Sequence, residues 1–428
     1  MDRTAALRNR RFLVVIGGEG LSMTGDAAFA ISLAWLVLEA TGSPAALTGV
    51  LLAQTIPRGA LLLIGGSVTD RLTPRTVMIA CHVLRAAGAA VVCALVVAGT
   101  WELWHLYALA VVMGAAGAFF TPAADSVLPQ LLSPVHYARG NAIQSITEQV
   151  SFLIGPLAGG VLTTAYGAGI AIGANAVTFG VAAITCLAIP SLAIPSLAIP
   201  SLAIPSLAIP SLAIPSRHGT SAAPAGLGRH VVEGLRYAWR THSMRVVLLV
   251  VSAATLSYSG LFAIGLPVLA RSMGETALGL SVLVSSWGAG QLIGALAAAI
   301  TGLPRRWGWL IITMTLAEGA VFILLGQVSG IWWAAALLLP LGVGVAYSSD
   351  VALPTFIQTT TPRHLLARAN SILALSRAVF EPLSIAMLGL VLQRSVPWGF
   401  AAAALPVLLA GMILVASSRA RALSTGTW

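Results

Sequence analysis

The chain has 428 residues, 58% of them hydrophobic and only 8% charged, with a mean hydropathy of +0.93. That balance excludes a soluble globule of this length and fits a chain that crosses a membrane many times. The formal net charge of +10 comes from 23 basic residues, all arginine, and their placement in loops between apolar runs reads as membrane topology, not nucleic-acid binding.

A membrane span needs about 20 mostly apolar residues. Twelve segments meet that need, at about 12–38, 46–68, 76–98, 103–123, 140–163, 168–187, 244–268, 278–301, 307–326, 331–350, 368–391 and 398–417. The first is too long for a cleavable leader and carries Glu19 and Asp26, so it is expected to stay as the first membrane helix. The three cysteines, Cys81, Cys93 and Cys186, fall inside apolar runs. Their spacing predicts no disulfide framework, no ligand cluster and no metal site. Trp101, Trp104, Trp332 and Trp333 stand at span ends and read as interfacial belt residues.

Between the sixth and seventh spans lie six tandem copies of Leu-Ala-Ile-Pro-Ser, from Leu187 to Ser216. The array is apolar enough to pass for a span, yet an interior proline costs a helix about 3 kcal/mol. An extended linker is therefore expected. Residues Arg229–Arg240 follow as a basic amphipathic segment suited to a bilayer surface. The chain divides into an N-terminal six-helix half (1–187), a linker (188–243) and a C-terminal six-helix half (244–428).

Eighteen of the 23 arginines fall in one set of loops, two (Arg271 and Arg394) in the other, and three (Arg58, Arg85 and Arg377) within spans. The bias places both termini and the linker on the cytoplasmic side of the cell membrane. Arg75 and Arg71 fit this topological role.

The halves are related in sequence. Asp125-Ser-Val-Leu-Pro129 and Ala138-Arg-Gly-Asn-Ala-Ile143 return as Asp350-Val-Ala-Leu-Pro354 and Ala367-Arg-Ala-Asn-Ser-Ile372, offset by 225 and 229 residues. A parallel repeat of two six-helix bundles predicts an all-α, pseudo-symmetric transporter with its substrate site between the halves.

The motifs resemble those of the major facilitator superfamily. Gly66-Ser-Val-Thr-Asp70-Arg71-Leu-Thr-Pro74-Arg75 is similar to its cytoplasmic G-x-x-x-D-R-x-x-R-R loop, with Pro74 replacing a basic residue. Gly155-Pro156-Leu-Ala-Gly159-Gly160 is similar to the second part of a drug-antiporter motif. Glu233-Gly-Leu-Arg-Tyr237-Ala-Trp239-Arg240, Asn175-Ala-Val-Thr-Phe179 and Pro57-Arg58 resemble the bacterial exporter branch of enterobactin exporters and macrolide-efflux permeases. The resemblance implies that the loop at Gly66, Asp70, Arg71 and Arg75 latches the halves, with Asp70 facing the start of the eleventh helix near Arg368; such a carboxylate gains roughly 0.3–1 kcal/mol from the helix dipole. Many proton-coupled drug antiporters carry an arginine four residues before a fourth-helix glycine. That glycine corresponds to Gly114, and the position four before it is Ala110, so proton coupling must use other groups.

Charges within spans are costly and mark function. Asp26, Arg58, Arg85, Glu318, Arg377 and Glu381 are expected near mid-depth, with Glu19 and Glu148 in the cytoplasmic halves of the first and fifth helices. Together these eight are the substrate and proton-coupling candidates. Glu19 and Asp26, seven apart, share a helix face; Arg377 and Glu381, four apart, can pair along theirs. Asp26 leads, because desolvation and a nearby arginine act on its ionisation in opposite senses. Such a group can change protonation as a cavity opens to either side. His82, one turn from Arg85, reads as buried or lipid-facing. The glycines of Gly155-Pro156-Leu-Ala-Gly159-Gly160 let their helix bend and pack closely, and Gly288, Gly290 and Gly294 read as helix packing, with no strand before them to make a nucleotide loop.

The sequence thus reads as a secondary transporter that exports a small amphiphilic compound, in exchange for protons, and acts as a monomer without a cofactor. A narrow-specificity siderophore or metabolite exporter and an importer of the same fold are the alternatives. A membrane enzyme lacks a catalytic constellation, a sensor lacks an output domain, and an ATP-driven pump lacks its G-x-x-x-x-G-K-[ST] loop. Because loop entropy rises slowly with length, cutting the pentapeptide array to its first copy should leave transport unchanged; loss of transport at normal membrane levels would assign the array a role.

Overall fold

The computed structural model describes residues 9–69, 72–190, 242–301, 307–353, 357 and 363–421. Among them twelve long helices form. The first six are α1 Arg10–Thr41, α2 Pro44–Thr69, α3 Pro74–Val97, α4 Leu103–Asp125, α5 Tyr137–Tyr166 and α6 Ala168–Thr185. The second six are α7 (His242–Gly260, prolonged through Ser272), α8 Ala277–Thr301, α9 Trp307–Leu325, α10 (Ile331–Val345, prolonged through Ala352), α11 Arg363–Leu392 and α12 Val396–Ala416. Ends are set by local chemistry. The Asn9 carboxamide oxygen accepts from the backbone N–H groups of Arg11 (3.1 Å) and Phe12 (3.2 Å), capping α1. At the other end Gly42 adopts φ 67°, a left-handed conformation that glycine tolerates without strain. Thr73 caps α3, and Pro74 occupies its first turn, where a missing N–H costs nothing.

Eleven of these helices are long and apolar enough to span a bilayer. The exception is α5, where Arg139, Gln144, Glu148, Gln149 and several hydroxyl residues dilute the apolar content. It packs on α1 within its own half and on α8 of the other, while Arg139 and Glu148 stand exposed.

The helices pair identically in the two halves. Helices α1–α5, α1–α6, α2–α4 and α3–α6 are in contact, as are α7–α11, α7–α12, α8–α10 and α9–α12. Between the halves α2 meets α11 and α5 meets α8, two junctions that the duplication makes equivalent. Small residues let these junctions close: a methyl group at Gly160 would overlap Ser281 of α8, and one at Gly389 would overlap Thr48 of α2. Polar bonds reinforce α5–α8. The Ser285 hydroxyl donates to the Leu153 carbonyl (3.0 Å), and the Leu278 N–H donates to Thr164 Oγ1 (3.2 Å). Thr48, Thr164 and Leu278 all lie near the end of the bundle that carries the α1–α2 and α7–α8 turns, so the halves are fastened there.

Two helices depart from α geometry in ways the sequence did not announce. Helix α7 widens to a π turn over Leu261–Gly265, and α10 over Ala346–Ala352. For α7 the cause is visible. Ser384 of α11 places its hydroxyl between Leu256 and Gly260, donating to the Leu256 carbonyl (2.6 Å) and accepting from the Gly260 N–H (2.8 Å). The side chain is inserted into a four-residue backbone bond, a recognised origin of helix distortion.

The pentapeptide array is described only through Pro190. Its first residues close a 3₁₀ turn after α6, and Ile189 is buried in the N-terminal half. The rest of the array and the basic segment at Arg229–Arg240 lie outside the described residues.

If the halves are fastened at the Thr164–Leu278 bond, cysteines placed there (Thr164→Cys with Leu278→Cys, in a background without the native cysteines) should form a disulfide between the halves. Mobility after cleavage at a protease site inserted in the linker would report it; free halves under oxidising conditions would contradict this packing.

Candidate functional site

A cavity of about 520 Å³ lies between the halves. Its N-terminal wall carries Glu19, Asp26, Arg58 and Arg85, from α1, α2 and α3; its C-terminal wall presents Ser259, Phe262, Ala263, Pro267, Leu280 and Val284, from α7 and α8. One wall is therefore charged and the other is almost wholly apolar. The π turn of α7 supplies Phe262 and Ala263 to the apolar wall, and behind them Trp287 packs 4.5 Å from Phe262 and 5.4 Å from Phe152, ring centre to ring centre. The indole N–H of Trp287 has no hydrogen-bond partner among the described residues.

The charged wall is a two-rung ladder between α1 and α3. Glu19 and Asp26, two helical turns apart, face His82 and Arg85, which are three residues apart. On the upper rung Asp26 Oδ2 lies 4.0 Å from Arg85 Nη1, and its other oxygen accepts from the Asn175 amide at 3.4 Å. Thr178 in turn donates to the Asn175 side-chain oxygen (2.9 Å), fixing the amide's orientation. Both contacts to Asp26 are long, and 46% of its side-chain surface is open. Arg85 is buried, with its guanidinium 5.1 Å from the Phe120 ring centre and 5.5 Å from that of Phe179. Cation–π attraction there contributes about 0.5–2 kcal/mol per ring. Gly117 of α4 leaves room for both arginines, since a methyl there would stand 3.1 Å from Arg85 Nη2 and 3.8 Å from Arg58 Cδ.

On the lower rung His82 Nε2 and Glu19 Oε1 are 3.0 Å apart. His82 is fully buried, its ring edge-on to Phe120 at 4.9 Å, and its Nδ1 has no hydrogen-bond partner among the described residues. The Cys186 thiol approaches the same carboxylate oxygen at 3.7 Å. Contrary to the expectation that the cysteines join no ligand cluster, Glu19, His82 and Cys186 gather their donor atoms within 4.8 Å of one another. Spacing could not reveal it, because the three residues come from three helices.

The remaining candidates stand elsewhere. Glu318 is buried on α9, away from the cavity lining. Arg377 is exposed and Glu381 half-buried on α11. No ion pair joins them among the described residues, despite their spacing of four. Glu148 is exposed and accepts from Gln144 at 3.1 Å. Gly66 lies in α2 and Arg75 in the first turn of α3, while Asp70 and Arg71 lie outside the described residues, as does the side chain of Arg368.

The α5 motif divides its glycines between two neighbours. Gly155 faces Thr24 and Ala27 of α1, Gly159 faces Ala28, and Gly160 faces Ser281 of α8. Pro156 reaches the cavity itself. Alongside, Ser151 donates to the Gly20 carbonyl (2.9 Å) and Ser32 pairs with Thr163 (2.8 Å), so α5 joins the charged helix α1 to the other half.

Comparison with known proteins agrees with this architecture. The profile described as Major Facilitator Superfamily matches residues 15–383. The multidrug efflux pump Tap of Mycolicibacterium fortuitum is 27% identical over 431 residues, covering 96% of this chain and 95% of that protein. Tap of Mycobacterium tuberculosis is 25% identical, covering 92% and 90%. Among solved structures, the nucleoside transporter NupG superposes with a TM-score of 0.72 at 10% identity, covering 95% of this chain and 99% of that one. An inward-facing bacterial homologue of the iron transporter ferroportin gives 0.68 at 14%, covering 97% and 99%; at such identities the likeness is one of fold.

Removing one partner of an ion pair leaves the other charge uncompensated and destabilises, whereas replacing both partners by uncharged side chains of similar size is often neutral or stabilising. Arg85→Met should therefore unfold below the wild-type temperature, and Arg85→Met combined with Asp26→Asn above Arg85→Met alone, as followed by thermal denaturation in detergent. A double variant no more stable than Arg85→Met would mean that Asp26 does not depend on the guanidinium.

Proposed function

We propose that this chain, which belongs to the major facilitator superfamily of secondary transporters, exports a small amphiphilic compound across the cytoplasmic membrane in exchange for protons. Its distant relationship to multidrug efflux pumps supports the direction. The observation that carries the reading is the two-walled cavity: an apolar shelf at Phe262, Leu280 and Val284 opposite an open carboxylate, Asp26.

Exchange follows from competition for that carboxylate. Asp26 is held only by a 4.0 Å contact to Arg85 and a 3.4 Å bond from Asn175, so a proton or the cationic head of a substrate can neutralise it in turn. Each excludes the other, and their alternate occupancy couples two opposed movements. Arg85 is not stranded when Asp26 is neutralised, because the rings of Phe120 and Phe179 still face it. Arg58, at the same wall, offers an anionic substituent a partner. That mixture supports zwitterionic cargo as a second reading and suits a narrower natural-product exporter.

In this scheme the arginine bias sets both termini and the linker in the cytoplasm, the fastened end faces outward, and one chain suffices. The two six-helix halves, 1–187 and 244–428, rock about the α2–α11 and α5–α8 junctions while the 188–243 linker spans them. Asp70, Arg71 and Arg75 act at the cytoplasmic junction. Asp26 is the coupling site, Glu19 its nearest alternative, and Glu318, Arg377, Glu381 and Glu148 lie outside the path.

Inverted membrane vesicles with an acidified interior test this directly. Adding cationic amphiphiles should release protons, read by a pH-sensitive dye, and Asp26→Asn should abolish that release while Asp26→Glu keeps part of it. Release that survives Asp26→Asn would move coupling to another carboxylate and overturn the assignment.

A further inference from the structure

The lower rung of the ladder holds a donor set that proton exchange at Asp26 does not use. Glu19, His82 and Cys186 offer one oxygen, one nitrogen and one sulfur, all three residues being buried. Oxygen and nitrogen are 3.0 Å apart and oxygen and sulfur 3.7 Å, with the third separation no more than 4.8 Å. A tetrahedral ion with bonds of about 2.0–2.3 Å to such donors spaces them roughly 3.3–3.7 Å apart. Closing the triangle around an ion therefore asks for adjustments of about an ångström, shared between side chains. We propose that Glu19, His82 and Cys186 form a binding site for a thiophilic divalent cation of the zinc class.

The chemistry selects that class. Thiolate and imidazole exclude magnesium and calcium, which take oxygen ligands, and favour zinc or cadmium. Charge also balances. On binding, the Cys186 thiol releases its proton to solvent, the thiolate and the Glu19 carboxylate together offset a double positive charge, and His82 donates its Nε2 lone pair with the ring proton on Nδ1. The loaded site is neutral, which a buried position requires. Arg85, one turn from His82, does not oppose it, because Asp26 lies beside its guanidinium. Access exists, since Glu19 also lines the cavity. Three protein ligands leave a fourth position for water or a ligand atom, as in exchangeable metal sites.

The anchoring of the three donors gives the site its consequence. Glu19 is on α1, His82 on α3 and Cys186 on the turn that ends α6, so an ion would tie together three helices of one half. It would do so where the chain leaves that half for the linker.

Cadmium chloride titrated into the purified full-length chain in detergent is the test. One equivalent should bind, with a thiolate-to-cadmium absorption band in the near ultraviolet. The band should vanish in Cys186→Ser, and affinity should fall by about tenfold or more in His82→Gln and Glu19→Gln, while Cys81→Ser and Cys93→Ser keep both. A wild-type protein that gives no band, or a band that persists in Cys186→Ser, would overturn the proposal; the first of these outcomes depends on no variant's folding.

Discussion

The cost of placing charge in hydrocarbon governs this molecule. An ionised side chain at mid-depth is paid for only by a partner, by aromatic faces or by water in a cavity. Helix α1 carries two such groups on one face, and α3 meets them with an imidazole and a guanidinium at matching height. Phe120 and Phe179 shelter the guanidinium, Asn175 and Thr178 steady the upper carboxylate, and the cavity hydrates what remains. Helices α1, α3, α4 and α6 are consequently bound by one polar network.

The second half shares the architecture of the first without sharing its chemistry. The same helix pairs form and the same junctions close, yet α7 and α8 bring Phe262, Leu280 and Val284 to the cavity where α1 and α3 bring acids and bases. Duplication preserved the small residues and hydroxyls that let helices cross closely, because those satisfy backbone geometry common to both halves. It did not preserve the ionised groups of the cavity wall. The inserted hydroxyl of Ser384 illustrates how the apolar wall is shaped instead: one side chain reroutes a backbone bond, and the widened turn that follows carries Phe262 into the cavity.

Much of this was legible in the sequence, and what was not has a common cause. Apolar length located twelve helices, and the paired Asp125 and Asp350 segments exposed the duplication, since both are properties of contiguous chain. The seven-residue spacing of Glu19 and Asp26 correctly put them on one face. Spacing failed for Arg377 and Glu381, because a shared helix face permits an ion pair but neighbouring helices decide where each side chain turns. The Glu19–His82–Cys186 cluster and the π turn of α7 were invisible for the same reason: each is made by helices far apart in sequence.

The separation of the cavity into a charged wall and an apolar wall bears on how such a protein evolves. Under the proposed exchange, the apolar shelf that would fit the cargo and the carboxylate that would harness an ion gradient lie on different halves of the chain, encoded by different halves of the gene. Selection for a new compound would then act on Phe262, Leu280 or Val284 while Asp26 and Arg85 stay as they are. One machine would thereby yield many nearby variants, all still driven.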